Sequence, residues 1–106
     1  MEYKGVAAQG GKVQGRICLV KEQGDLVRCE PGDVLVLVGI KPDLSSVRRC
    51  VGIVAIHGGI TSHAAIVARE NGKPAVVGLQ KEDLVGLEQA KVVIVDGDLG
   101  LVKVIE

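Results

Sequence analysis

Short apolar runs rich in β-branched residues recur along the chain, separated by glycine or by charged turns. They are RICLV at 16 to 20, DVLVLV at 33 to 38, VGIVAI at 51 to 56, PAVVG at 74 to 78, KVVIV at 91 to 95 and LVKVI at 101 to 105. Each has the length and composition of a strand. Runs that are apolar throughout predict sheet covered on both faces, whereas GRICLVKE and GLVKVIE have polar ends and suit edge strands. EPGD at 30 to 33 and DGDLG at 96 to 100 are turn signals, and the second predicts a hairpin joining the last two strands.

Helical patterning is sparser. PDLSSVRRCV opens with Pro42 and Asp43 and sets Leu44, Val47 and Val51 on one side of a short helix. The clearest helix covers residues 62 to 71, with Thr61 as its N-cap, Gly72 as a left-handed stop and Pro74 forbidding continuation. KEDLVGLE adds one or two further turns. No internal repeat, linker or low-complexity tract interrupts the pattern, so residues 1–106 are expected to form one strand-rich α/β domain.

Composition narrows the function classes. The only aromatic residue is Tyr3, so the core must be built from Val, Ile, Leu and Ala, and no aromatic platform exists for stacking bases or sugars. Thirteen basic and thirteen acidic residues cancel without forming a basic block, which argues against nucleic acid and anionic membrane as partners. Cys18, Cys29 and Cys50 are widely spaced with no C-x-x-C pair, and predict reduced core thiols rather than a disulfide framework or a zinc site. With no signal-peptide pattern and no apolar run near the ~20 residues of a membrane span, the expected location is the cytoplasm.

The chemistry concentrates in HGGITSH, residues 57 to 63, placed between a buried strand and the clearest helix. Gly58 and Gly59 permit positive φ and close approach of a ligand. The first turn of the following helix offers unpaired N–H groups and the positive end of its dipole, an arrangement that binds anions and above all phosphate. His63 brings an imidazole to that turn, where positive charge is disfavoured and the neutral, nucleophilic ring is favoured. After a ring nitrogen takes a phosphoryl group, the same amides and dipole stabilise the new negative charge, and Thr61 and Ser62 offer hydroxyls to its oxygens. On these residues alone, a histidine behind a helix cap is more often a partly exposed polar residue than a catalyst. Other motifs fit worse: no G-x-G-x-x-G occurs, no glycine precedes Lys-Ser/Thr, and Ser62 and His63 are adjacent on one turn rather than facing each other as a hydrolase pair.

GGITSHAAIVARENGKPAVVG resembles the signature of the mobile, phosphohistidine swivelling domain of phosphoenolpyruvate-utilising enzymes. That family includes phosphoenolpyruvate synthase, pyruvate phosphate dikinase and the first enzyme of the sugar phosphotransferase system. The likeness extends to GVAAQGGKVQGR, EPGDVLVLVGIKPD and VVIVDGDLGLV, and so spans nearly the whole chain. It implies a three-layer β/β/α fold, His63 as phosphoryl acceptor, Thr61 and Ser62 beside it, and Gly58 and Gly59 forming the approach. In the dikinases the threonine matching Thr61 can be a regulatory phosphorylation site.

Three positions depart from the family pattern: Gln9-Gly10 replaces Ser-Pro, His57 stands where another polar or acidic residue is common, and Lys73 replaces an aliphatic residue. His57 is expected to be a polar residue at a strand end, ahead of a proton-relay or metal role. The resemblance also implies partners: a nucleotide-binding domain or subunit, and a phosphoenolpyruvate-binding barrel of ~250 residues that holds Mg2+. No metal or other cofactor is expected in this chain, and no turnover is expected from it alone. The expected role is that of a phosphoryl carrier between those sites. The alternative class is a non-catalytic regulatory module of the same fold that binds phosphate or a partner.

Overall fold

Successive side chains of a strand face opposite sides, so a strand that is apolar at every position needs cover on both faces. The computed structural model, which describes residues 1–106, meets that demand with three layers. In chain order the elements are β1 (Glu2–Lys4), β2 (Val6–Gln9), β3 (Lys12–Val20), a 3-10 segment (Gln23–Arg28), β4 (Val34–Val38), α1 (Leu44–Arg49), β5 (Gly52–Ile56), α2 (His63–Asn71), β6 (Ala75–Leu79), α3 (Lys81–Gln89), β7 (Val92–Asp96) and β8 (Leu101–Val104).

The strands β4, β5 and β6 form the middle layer. Leu35, Leu37, Ile53, Ala55, Ala75 and Val77 face a core shared with Val47 of α1 and Ala64, Ala65 and Ala68 of α2. The alternate residues Val34, Val36, Val54, Ile56, Val76 and Leu79 face a second core shared with Leu87 of α3, Val93 and Val95 of β7, and Val102 of β8. Helices α1 and α2 thus cover one face, and the β7–β8 layer with α3 covers the other, the β/β/α arrangement that the family resemblance implies.

The strand order is β1-β8-β7-β3-β4-β5-β6-β2. Neighbours run parallel from β3 through β6 and antiparallel elsewhere. β3 serves both layers: Lys12 to Arg16 pair with β7, and Ile17 to Val20 pair with β4. This corrects the expectation that polar-ended β3 and β8 are edges. Polar alternation there marks a solvent-facing side, because an antiparallel outer layer is wet on one face. The edges are β1 and β2, two short strands with too little apolar patterning to announce themselves, placed by pairing to β8 and β6.

Turns and caps agree with local chemistry. The hairpin between β7 and β8 is organised by buried Asp96, whose Oδ1 accepts from the amides of Asp98 at 3.1 Å and Leu99 at 3.0 Å. In EPGD the Asp33 amide donates to the Glu30 carbonyl at 3.1 Å. Asp43 caps α1 by accepting from the Ser46 amide at 2.7 Å, and the hydrogen bonds from Ser46 hold its carboxyl below the usual aspartate range. Leu44 does not join Val47 in the core and is 52% exposed. At about 100° per residue, the inward face of α1 runs through Ser46, Val47 and its C-cap Cys50, leaving Leu44 outside. α3 is longer than the expected turn or two, because Gln80 and Asp83 close a capping box at its start and Leu87 is anchored in the second core.

The cysteines also differ from expectation. Cys18 of β3 and Cys29, just beyond the 3-10 segment, are joined by a disulfide with Cα atoms 5.5 Å apart. Cys50 is free and buried, and burial pushes its thiol up to about 11. Spacing along the chain carries no sign of the pairing, which arises because the chain folds back after β3 and brings both sulfurs into one core. No helix is long and apolar enough to cross a membrane.

The layer assignment can be checked by truncation. Leu35→Ala removes a side chain that is 0% exposed and should lower stability by about 3 kcal/mol, whereas Leu44→Ala should change it by less than ~0.5 kcal/mol. Urea unfolding midpoints at constant slope measure both. Comparable losses would place Leu44 in the core.

Candidate functional site

The buried strand β5 ends at Ile56, and the chain must then turn from the middle layer to the helical layer. His57 makes that turn with φ of 68°, in the left-handed region. Histidine is one of the few side chains enriched there, at a cost of about 1 kcal/mol. Its backbone is held on both sides by β6: the His57 amide donates to the Leu79 carbonyl at 2.8 Å, and its carbonyl accepts from the Gly78 amide at 3.1 Å. Gly58 follows with φ of 84°, and a Cβ there would lie 3.1 Å from the Ser62 Cβ. Gly59 is open to solvent, and its carbonyl accepts from the Ser62 amide at 3.0 Å, closing the turn that carries Ile60 and Thr61.

Helix α2 starts one residue later than expected. Ser62, not Thr61, is the N-cap: its backbone is extended and its Oγ accepts from the Ala65 amide at 3.4 Å. Thr61 sits in the preceding turn, exposed, with its hydroxyl bonded to no protein group. His63 is therefore the first helical residue. The far end closes as expected, with Gly72 in the left-handed conformation and the Lys73 amide donating to the Ala68 carbonyl at 3.0 Å. Ala64, Ala65 and Ala68 are buried against the middle layer, and this fixes the helix so that His63 projects outward and is exposed.

The first turn leaves the amides of His63 and Ala64 without a protein acceptor. With the Thr61 hydroxyl they form a set of donors around an exposed imidazole, at the positive end of a nine-residue helix. Such a set favours a group that arrives or becomes anionic there. Gly58, Gly59, Thr61, Ser62 and His63, all named from the sequence, lie on one continuous turn at the C-terminal ends of the parallel strands, where open α/β sheets place their ligands.

Beside this turn lies a cavity of about 200 Å³ between the ends of β4 and β5, lined in part by Lys41, His57, Gly58 and Ser62. Lys41 escaped the sequence reading. Its cue is only that GIKPD follows a parallel strand, since the loops after such strands converge. The Lys41 carbonyl accepts from Gln23 Nε2 at 3.0 Å, which ties this loop to the 3-10 segment, and its ammonium makes no ion pair. No three His, Cys, Asp or Glu side chains converge as a metal site.

Comparison with known proteins places this geometry in context. Residues 29–100, which include the whole turn and α2, match the mobile domain of PEP-utilising enzymes. The chain is 42% identical over 100 residues to a probable phosphoenolpyruvate synthase of Methanothermobacter thermautotrophicus, covering 93% of this chain and 14% of that protein. It is 41% identical over 100 residues to phosphoenolpyruvate synthase of Pyrococcus furiosus, again over 93% of this chain but 12% of that one. The chain thus spans only about an eighth of the length of these relatives. In fold it is similar to a chain of Thermococcus kodakaraensis aconitase X in its holo-form, with a TM-score of 0.71 at 20% identity, covering 100% of this chain and 99% of that one. With its fold, its glycine turn and the matched residues in agreement, the chain belongs to the mobile-domain family of PEP-utilising enzymes.

Proposed function

We propose that this chain is the phosphoryl carrier of a phosphoenolpyruvate-utilising phosphotransferase, and that His63 takes the phosphoryl group. The observation that carries the reading is the exposed imidazole of His63 at the first helical residue of α2, beside amides that no protein group claims, within the segment shared with the family. A neutral ring nitrogen attacks the donor phosphorus. The N–P bond forms as the P–O bond to the leaving group breaks, and that oxygen keeps the electron pair. The donors of the first turn lower the energy of the charge brought to the ring, and their position on a packed helix means that little reorganisation is required.

Donor and acceptor sites belong to other domains or subunits, since the matched stretch makes up only 14% and 12% of two phosphoenolpyruvate synthase relatives. The partners are a nucleotide-binding unit and a phosphoenolpyruvate-binding unit, with Mg2+ held by the latter. The exposure of His63 suits a residue that must present its phosphoryl group to two different sites in turn. The exposure of Thr61 supports reading it as a regulatory phosphorylation site, where a phosphate would compete for the same donors.

Incubated with a phosphoenolpyruvate-binding partner of the family, phosphoenolpyruvate and Mg2+, the chain should gain one acid-labile, base-stable phosphoryl group. His63→Asn should reduce labelling to background while His57→Asn retains most of it. Equal loss from both would show that the site is wider than His63. Labelling of neither the parent chain nor His57→Asn would favour a regulatory module that binds without being phosphorylated.

The electrostatic part has its own test. Thr61→Asp puts a carboxylate against the donors that receive the phosphoryl group, and transfer should slow about tenfold, or ~1.4 kcal/mol. Thr61→Val removes only a hydroxyl and should slow it about threefold. Equal effects in rapid-quench measurements would reduce Thr61 to a hydroxyl contact.

A further inference from the structure

A second reactive feature lies away from the His63 turn. Cys18 and Cys29 close a short loop of chain, with a sequence separation of 11, around the 3-10 segment. An open cavity of about 350 Å³ reaches this region and is lined by Arg16, Cys18, Lys21, Asp25, Arg28 and Asp33. Cys29 does not line it. Arg16 and Cys18 are two residues apart on β3 and so share a face of the strand.

The charges in the cavity are unevenly committed. The Asp25 carboxylate accepts from the amides of Lys21 at 2.9 Å and Glu22 at 3.1 Å and from the Arg28 guanidinium at 2.6 Å. Asp33 accepts from the Glu30 amide at 3.0 Å. Lys21 reaches Glu88 at 2.9 Å, outside the cavity wall. Arg16 makes no ion pair, and three cations face two carboxylates that are already hydrogen-bonded. With Lys21 paired to Glu88 and Arg28 to Asp25, a small anion entering the cavity meets one unpaired cation, Arg16, two residues from a bonded sulfur.

We propose that the Cys18–Cys29 pair is a thiol–disulfide exchange site for small anionic thiols, entered through this cavity past the unpaired Arg16, with Cys18 as the sulfur attacked. A thiolate from solution forms a mixed disulfide with the Cys18 sulfur, and the S–S bond to Cys29 breaks with its electron pair leaving as the Cys29 thiolate, which takes a proton from water. A second thiolate attacks the small-molecule sulfur of the mixed disulfide and releases the Cys18 thiolate. Two small thiols are oxidised to one disulfide, and the protein disulfide is reduced to two thiols. The reverse direction consumes one small disulfide. The unpaired Arg16 guanidinium favours the approach of an anionic reactant over a neutral one.

Equilibration with glutathione at graded ratios of its thiol and disulfide forms, followed by alkylation under unfolding conditions and mass spectrometry, tests the proposal. Three alkyl groups are expected at the reducing end and one, on Cys50, at the oxidising end, with interconversion within the range that glutathione buffers. A pair that remains disulfide, or remains dithiol, throughout that range would overturn it. Under oxidised glutathione, Cys29→Ser should form a mixed disulfide on Cys18 about tenfold faster than Cys18→Ser forms one on Cys29. Equal rates would remove the directed attack.

Arg16→Gln, an exposed substitution that leaves the core intact, should slow reduction by glutathione about threefold while leaving reduction by neutral 2-mercaptoethanol unchanged. A fall with both reagents, or with neither, would remove the role of the cavity charge.

Discussion

Everything in this molecule depends on the double-sided burial of three parallel strands. Because β4, β5 and β6 are apolar on both faces, they can exist only as the middle of a stack, and each face recruits its own cover. Parallel neighbours cannot be joined by tight hairpins, so each connection must cross over through another layer. That requirement produces α1 and α2 on one side and gathers the loops after β4 and β5 at a single end of the sheet. The candidate site is the meeting place of those loops, and its location follows from the packing before any catalytic residue is considered.

The site itself combines rigidity with exposure. The positioning of His63 comes from Ala64, Ala65 and Ala68, which are small enough to let α2 lie close on the sheet. The preceding loop is pinned by His57, whose left-handed backbone is held at both its amide and its carbonyl by β6. His63 can therefore stand in solvent on a backbone that is held in place. Lys41, on the neighbouring loop, is held through its carbonyl by Gln23.

Much of this was legible in the sequence where local chemistry and tertiary structure agree. The six apolar runs became strands, the DGDLG hairpin and the Gly72 stop fell where expected, and the glycine turn leads from β5 directly into α2 at His63. The errors arose where a neighbour far along the chain decides the outcome. Thr61 and Ser62 are both good caps, and only the Ser62–Gly59 turn selects between them. The polarity of β3 reports a wet face, which on the sequence looks the same as an edge. β1 and β2 carry too few apolar residues to be seen without their partners. The Cys18–Cys29 bond and the place of Lys41 depend on the chain returning to itself, and no local pattern encodes such a return.

β1 and β2 are separated only by Gly5, yet they stand at opposite ends of the strand order. Gly5 crosses the seam between the layers, donating to the Gly100 carbonyl at 2.8 Å, at a point where a Cβ would come within 2.5 Å of the Val77 carbonyl. Glu2 pairs with Lys103 and Val6 with Val77, so residues 2 to 9 can be docked only when β6 and β8, 70 to 100 residues further along, are in place. Such distant pairing makes for slow closure. Until closure, the outer flanks of β8 and β6 lie open to any extended strand nearby. β1 and β2 thus act as a clasp across the two layers, one that fastens only after the layers have formed.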